Sequence, residues 1–244
     1  MDPRFKRRDR IVHRLGGPRM RPYLVEAGGH HKQALALYRW NSEVSAAFLV
    51  LLSLAEVVTR NAFNERLSEW CRRNAGPHDW LIDHAAGLPH PLDKLLSSVV
   101  AGAHDKATDA KSDRDANTDH PRCGQPLNDG DVLAQITFGH WHRIVPWDAD
   151  EIADPTTNGY RRRIWDEALV DVFPPGTDPD EIRWTLYRLA YFRNRVAHHE
   201  NVLGSSLIDR RADVLKLLRL IDPVVYDWAT GQDRVPHLLK RKPQ

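Results

Sequence analysis

The sequence is poor in the residues that build disulfide frameworks, metal centres and phosphate-binding loops. Its 244 residues include only two cysteines, which are too few for a disulfide framework or a four-cysteine zinc site. Neither the His-Glu-x-x-His nor the Cys-x-x-Cys spacing occurs, and the glycine pairs at 16–17 and 28–29 lack the strand-turn-helix context of a phosphate loop. There is no serine nucleophile elbow either. We therefore expect a protein that uses neither a metal ion nor a cofactor.

A strong net charge and long apolar runs are also absent. Lysine and arginine total 35, aspartate and glutamate total 33, and the net charge is +2, which excludes a histone-like polyelectrolyte. The amino-terminal residues lack the apolar core of a signal peptide. The most apolar stretch, Val44 to Val58, contains Glu56 and is too short to span a bilayer. We expect a cytoplasmic protein that does not bind a membrane.

Basic residues are nevertheless concentrated at both ends of the chain. Residues 1–22 have eight basic and two acidic side chains, a pattern that favours a flexible arm. Such an arm either keeps the protein soluble or binds a polyanion. Residues 233–244 form a second basic tail. Between them we predict one domain over residues 23–232, with an aspartate-rich loop at about 105–131.

All the regular structure that the sequence predicts is helical. Runs of alternating β-branched residues are absent, whereas apolar residues recur with the period of an α-helix. Asp178, Pro179 and the acidic pair at 180–181 form a helix start signal. We predict an all-α bundle with additional helices and crossover loops. Its helices lie at about 32–73, 92–111, 131–144, 160–173, 178–200 and 207–222, the last restarting after Pro223 and ending near 231.

The first predicted helix combines an apolar surface with three polar residues. Between positions 44 and 58 it is apolar on nearly all sides, as in the centre of a bundle. Glu56, Arg60 and Asn61 interrupt that surface, and Glu56 and Arg60 are four residues apart, a spacing that allows them to pair. Buried charges need such partners. The group is therefore either a structural ion pair between helices or part of a polar site.

The helix predicted at 178–200 has an arginine where the apolar period requires a leucine. Its core positions before Arg193 are Ile182, Leu186 and Leu189. Asn194 and His198 lie on an adjacent row, four residues apart, and His199 follows directly. An arginine binds a phosphate through two donors, and a histidine transfers protons near neutral pH. Arg193 and His198 are separated by about 7.5 Å along an ideal helix, so a phosphodiester can lie between their side chains.

Three segments resemble one protein family in the order in which that family has them. Residues 192–201, Phe-Arg-Asn-Arg-Val-Ala-His-His-Glu-Asn, are similar to the signature of the Abi-like (abortive-infection) proteins of the HEPN superfamily. The superfamily motif is an arginine, a polar residue, and a histidine four to six residues after the arginine. Residues 38–61, from Tyr-Arg-Trp-Asn to Glu-Val-Val-Thr-Arg-Asn, resemble the family's first long helix, and Phe-Gly-His-Trp at 138–141 resembles its Phe-Gly-x-Trp segment. The resemblance covers about residues 34–205.

The resemblance implies a HEPN-like helical bundle that acts on RNA. Most HEPN proteins are metal-independent endoribonucleases of toxin, anti-phage and RNA-processing systems, and two copies form one composite cleft across a homodimer. An antitoxin or a phage-derived activator is an implied partner. Some members are instead non-catalytic modules for RNA binding, regulation or dimerisation, and this is the alternative function.

The same resemblance implies a role for each residue of the motif. Arg193 would hold the scissile phosphate and stabilise its developing charge. His198 would act as general acid or base when the RNA 2′-hydroxyl attacks the adjacent phosphorus. Asn194 would orient His198 or donate to the phosphate, and His199 is the other candidate for the catalytic histidine. The implied supporting groups from the first helix are Glu56, Arg60 and Asn61.

A second RNA-binding candidate lies outside this motif. Arg161, Arg162 and Arg163 precede Trp165, a combination that suits a phosphate backbone with a stacked base. The same residues are also typical of a basic helix start whose tryptophan lies in the core.

Overall fold

The protein is described here from a computed structural model, which covers the backbone of residues 3–244 and the side chains of residues 7–244. Within that part of the chain there are α-helices, short 3-10 helices and no β-strand, which confirms the all-α prediction. The α-helices are α1 (Pro3–Leu15), α2 (Gly17–Glu26), α3 (His31–Arg73), α4 (Leu92–Asp115), α5 (Asp129–Leu133), α6 (Phe138–Trp141), α7 (Asp150–Ala153), α8 (Pro155–Glu167), α9 (Pro179–Ala197), α10 (Leu207–Ile221), α11 (Pro223–Gly231) and α12 (Val235–Leu239). The 3-10 helices are His84–Ala86, His142–Ile144 and Leu169–Val172.

The chain divides into two compact units, where the sequence predicts one domain over residues 23–232. Unit 1 comprises residues 1–55 and 191–244, and unit 2 comprises residues 56–190. Both boundaries fall inside long helices. The first part of α3 and the last part of α9 therefore belong to unit 1, and the remainder of each helix belongs to unit 2.

Two helices, α1 and α2, occupy most of residues 1–22, where the sequence predicts a flexible arm. Gly16 between them has a φ of 92°, a left-handed conformation that glycine adopts without steric penalty. Apolar side chains of both helices pack in one cluster with the start of α3. The buried members of this N-terminal cluster are Val12, Met20, Tyr23, Ala27, Ala34 and Leu37. The segment is helical because it has this apolar contact surface, which its basic composition does not predict. The side chains of Arg4 and Lys6 lie outside the described residues.

The predicted basic tail at 233–244 also contains a helix, α12. Val235 and Leu238 of α12 are buried. Trp40 of α3 donates its indole Nε1–H to the carbonyl oxygen of Leu238 at 2.8 Å, and the Lys242 ammonium lies 2.8 Å from a Glu26 carboxylate oxygen in α2. The end of the chain is thus attached to α2 and α3 by apolar, polar and ionic contacts.

Helix α3 is continuous over 43 residues, and its unit 1 part is buried on one face only. Val44, Phe48 and Leu51 are buried, whereas Leu49 is 41% and Val50 67% exposed. This corrects the expectation of a helix surrounded on all sides. One window of α3 has a mean hydropathy of 1.7 and is 39% buried. By length and composition α3 can span a membrane, a test that core helices of soluble proteins also pass.

In unit 2, the single helix predicted at 131–144 is replaced by α5, α6 and a 3-10 turn. Asn128 forms a capping box with Asp131 at the start of α5, and Thr137 forms another with His140 at the start of α6. A capping box satisfies backbone donors that are unpaired at a helix start. Two such boxes nine residues apart therefore favour two short helices over one long helix.

Large aromatic residues form much of the core of unit 2. Phe63 packs edge to face against Trp141 at a centroid distance of 5.8 Å and against Phe173 at 6.1 Å. Trp165 is buried and stacks on Phe173 at 5.5 Å. The core interpretation of Trp165 is therefore the one that the structure supports.

The predicted loop at 105–131 is shorter than expected because α4 continues through Asp115. The segment that follows is fixed by Arg122, whose two terminal nitrogens each lie 2.7 Å from a carboxylate oxygen of Asp131. Hydrogen bonding to this guanidinium holds the pKa of Asp131 below its usual range. The acidic segment is thus partly neutralised by its own arginines.

Candidate functional site

The residues of the predicted Arg-x4-His motif lie at the carboxyl end of α9, in unit 1. Arg193 and Asn194 belong to the helix, which ends at Ala197 rather than at the predicted Glu200. Phe192 is 2% exposed and packs edge to face on Phe48 of α3 at a centroid distance of 4.9 Å. This aromatic contact fixes the end of α9 against α3 immediately before Arg193.

The chain leaves α9 through a Schellman turn with a histidine in the glycine position. The Glu200 N–H donates to the Arg195 carbonyl at 2.9 Å, and the His199 N–H donates to the Val196 carbonyl at 3.1 Å. His199 has a φ of 55°, at the position that is usually glycine in such turns. This left-handed conformation costs about 1–2 kcal/mol for a residue with a Cβ. Retained strain of this kind is typical of functional sites.

We call residues 198–206, between α9 and α10, the motif loop, and its backbone is held from two sides. Arg19 of α2 donates to the carbonyl oxygen of His199 at 2.6 Å. Asn41 of α3 is 4% exposed and uses both ends of its amide. Its Oδ1 accepts the Val202 N–H at 2.8 Å, and its Nδ2 donates to the Glu200 carbonyl at 3.4 Å.

A third positioning residue, Arg195, holds the motif loop from within. Its guanidinium contacts Glu200 Oε2 at 3.3 Å and Ser205 Oγ at 2.9 Å, and it donates to the Asn201 carbonyl oxygen. One arginine thus connects the last turn of α9 to three points of the motif loop. Because such a planar fork has several fixed donors, it restricts the shape of the loop more than one hydrogen bond would.

The side chains of the motif are accessible although their backbone is fixed. Asn194, His198 and His199 are exposed, and Arg193 is partly buried. Arg193 Nη1 lies 3.5 Å from Asn194 Oδ1, and the His198 N–H donates to the Asn194 carbonyl at 2.9 Å. Residues 193–199 therefore carry a guanidinium, an amide and two imidazoles at one helix end. This set can bind a phosphate and transfer protons.

The supporting residues predicted on α3 belong to unit 2. Glu56 Oε1 accepts the N–H of Phe138, the first residue of α6, at 3.1 Å, where a helix start has unpaired donors. This contact joins two of the segments that carry the family resemblance. The Nε of Arg60 is buried and has no hydrogen-bond partner among the described residues. Asn61 is exposed, and Arg60 is partly buried.

The arginines at 161–163, also in unit 2, each have an acidic partner. Arg161 contacts Asp150 at 2.5 Å, and Arg163 contacts Glu167 at 2.8 Å. Arg162 contacts both Asp148 and Glu151. Their positive charge is therefore largely neutralised within the protein, which favours the structural interpretation of this cluster over the RNA-binding one.

Three positioning residues were not identified from the sequence. Asn41 is part of a segment that resembles the family, but its spacing assigns it no role. Arg195 stands inside the signature, where the helical period gives no reason to separate it from Arg193. Arg19 lies in the segment predicted as a flexible arm. All three residues are recognised by their contacts with the turn after α9. Sequence periodicity does not predict such a turn, so it could not identify them.

The chain was compared with protein-family models, with curated proteins and with solved structures, and none matches. Among the described residues, no group of three histidine, cysteine or acidic side chains is arranged to hold a metal ion.

The strain at His199 predicts that His199→Gly stabilises the protein. Glycine relieves the left-handed strain but has a larger chain entropy in the unfolded state, which offsets part of the gain. The net increase in the free energy of unfolding should be about 0.5–1 kcal/mol. The melting temperature should then rise by about 1–4 °C. His198→Gly is the matched control, because the φ of His198 is not positive, and it should lower the melting temperature. Differential scanning calorimetry measures both variants. If both were destabilised equally, the conclusion that His199 is strained would be wrong.

Proposed function

We propose that this protein is a metal-independent endoribonuclease of the HEPN type, from an abortive-infection, anti-phage or toxin system. The observation that carries the proposal is the strained Schellman turn at His199, directly after the helix end that bears Arg193 and Asn194. Backbone strain of this kind clusters at functional sites, and here it falls within the predicted motif. The contacts from Arg19, Asn41 and Arg195 keep this turn in one geometry, as a catalytic group requires.

In the proposed reaction, the RNA 2′-hydroxyl is the nucleophile. One imidazole of the motif loop takes the proton of the 2′-hydroxyl as its oxygen bonds to the adjacent phosphorus. The bond from phosphorus to the 5′-oxygen breaks, and that oxygen receives a proton from a general acid. The products are a 2′,3′-cyclic phosphate and a 5′-hydroxyl. Arg193 binds the phosphate oxygens on which negative charge develops, and Asn194 donates to them or orients the imidazole.

We propose that the active form is a homodimer in which two motif loops share one cleft. Exposed apolar side chains in unit 1 support a protein interface. They are Val50 on α3 and Val224 and Trp228 on α11, which are 67%, 76% and 59% exposed. Exposed apolar patches of this kind are typical of interaction sites. An antitoxin or a phage-derived activator would then act by covering or opening the shared cleft.

The same apolar surface favours the alternative function, a non-catalytic RNA-binding or regulatory dimerisation module. Such a module would bind RNA or a partner protein, and its histidines would leave the RNA intact. The two functions therefore differ in one observable, the appearance of cleaved RNA with defined ends.

The test of the proposed function is RNA cleavage without divalent metal. Purified protein in excess EDTA should cut end-labelled RNA and leave 2′,3′-cyclic phosphate ends, because the proposed acid, base and phosphate ligand are all side chains. Light scattering on the same sample should give the mass of a dimer. Full activity from a strict monomer would contradict the shared cleft. RNA that is bound but remains intact would favour the non-catalytic module.

A further inference from the structure

One face of α1 carries three exposed arginines, and the apolar residues of the helix lie elsewhere. Arg7, Arg10 and Arg14 are exposed and follow the i, i+3, i+7 spacing that places them in one row. Val12 is buried in the N-terminal cluster, and Leu15 packs against the same cluster. The basic row therefore faces away from the core over about 10 Å of helix.

Within the described residues these arginines make no ion pair with a carboxylate, unlike the cluster at 161–163. Of the side chains that the structure describes, no carboxylate pairs with Arg7, Arg10 or Arg14. The two acidic residues described in α1 and α2 contact other groups: Asp9 contacts His31 Nδ1 at 2.5 Å, and Glu26 contacts Lys242 at 2.8 Å. Three uncompensated charges in one row form a surface that attracts polyanions.

The basic row belongs to the part of unit 1 that contacts the motif loop. Arg19 of α2 bonds the His199 carbonyl, and Leu203 of the motif loop packs against the N-terminal cluster that holds α1. The carboxyl end of a helix carries partial negative charge. A phosphate at the end of α9 therefore needs nearby positive charge to offset it, and the basic helices α1 and α2 can add to that of Arg193 and Arg195.

We propose that the row Arg7, Arg10 and Arg14 binds the phosphate backbone of the single-stranded RNA that enters the candidate site. This inference rests on the proposed function, which makes RNA the substrate. A single strand fits because its backbone can follow a protein surface and its bases can be splayed. An amphipathic helix that binds a membrane needs a free apolar face. Of the α1 side chains that the structure describes, Val12 is buried and Leu15 is packed, which leaves Ile11, 40% exposed, as the one large exposed apolar residue.

The test measures RNA binding separately from cleavage. All proteins carry His198→Ala and His199→Gly, so that the RNA stays intact during the measurement. The test variant adds Arg7→Gln, Arg10→Gln and Arg14→Gln. The control variant instead adds Arg39→Gln, Lys94→Gln and Lys106→Gln, which remove the same charge from exposed residues outside every group assigned to RNA binding. The probe is fluorescein-labelled oligouridine of about 20 nucleotides, longer than the about 4–16 nucleotides of one single-strand site. Anisotropy is read over a series of salt concentrations.

The α1 variant should bind the oligouridine at least about tenfold more weakly at low salt. The magnitude of the slope of log K against log salt should fall by about 2, because each of the three lost phosphate contacts contributes about 0.7. The control variant should match its parent. An unchanged slope in the α1 variant, or no RNA binding by the parent protein, would overturn the inference. Flotation with phosphatidylserine vesicles is the second arm: vesicle binding lost in the α1 variant, with RNA binding kept, would also overturn it. Weaker RNA binding by the α1 variant supports the assignment of Arg7, Arg10 and Arg14 to RNA binding, whether or not the wild-type protein cuts RNA. A wild-type protein that binds RNA but never cuts it would contradict only the proposed nuclease function.

Discussion

Replacement of Arg193 by alanine is expected to slow RNA cleavage by at least about a hundredfold while the protein stays folded. Removing one donor that stabilises charge in a transition state costs about 2.7–4 kcal/mol, or 10²–10³ in rate. Arg193→Lys keeps the positive charge but loses the planar fork, so it should restore only part of the rate. Single-turnover cleavage of one defined RNA measures both effects.

The control for this prediction is Arg39→Ala. Arg39 is an arginine on α3 whose side chain is 79% exposed and lies 3.7 Å from Glu43. Its removal takes away the same charge from a position outside the motif, and exposed pairs contribute little to stability. Equal rates for Arg193→Ala and Arg39→Ala would remove Arg193 from the proposed chemistry.

Replacement of Asn41 by alanine is expected to affect both stability and cleavage. The buried N–H of Val202 would lose its acceptor at 2.8 Å, and an unsatisfied buried donor costs about 1–3 kcal/mol. A loss of about 2 kcal/mol lowers the melting temperature by about 4–8 °C in a chain of this size. Since the motif loop would no longer be held at Val202 and Glu200, cleavage should also slow by about 10- to 100-fold.

Ser42→Ala is the matched control for Asn41→Ala on the same helix. Ser42 is exposed, and its hydroxyl bonds only the Tyr38 carbonyl of its own helix. Its loss should change the free energy of unfolding by about 0.5 kcal/mol or less, so the melting temperature should stay nearly unchanged. A normal melting temperature and normal cleavage for Asn41→Ala would mean that the contacts to Val202 and Glu200 do not hold the motif loop.

The helices that the sequence predicts best are those with a long apolar period and a clear start. The structure has α3 at His31–Arg73, against a prediction of 32–73, and α9 starts at Pro179, directly after the predicted cap Asp178. The interruptions in unit 2 were missed because the capping boxes at Asn128 and Thr137 are short local signals inside an apolar pattern. Periodicity shows which apolar residues share a face of a helix. It does not show which face is covered, and Val50 is 67% exposed in the fold.

The candidate site, too, could be predicted only in part from the sequence. The motif from Arg193 to His198 is visible in the sequence because an arginine interrupts an apolar row. The left-handed His199 is not, because its backbone conformation follows from contacts made by residues far away in the chain. Arg19 and Asn41 are 180 and 159 positions from the carbonyl oxygens that they bind. The charges at 161–163 could not be assigned for a similar reason, since their acidic partners depend on the fold.

The central claim is that the imidazoles of the motif loop catalyse RNA cleavage. The most direct test compares the wild-type protein with His198→Ala, His199→Gly and the double variant, all in excess EDTA and on one end-labelled RNA. We expect the wild-type protein to produce 2′,3′-cyclic phosphate ends, the double variant to produce none, and the single variants to identify the catalytic histidine. Cleavage by the double variant at the wild-type rate would contradict the claim.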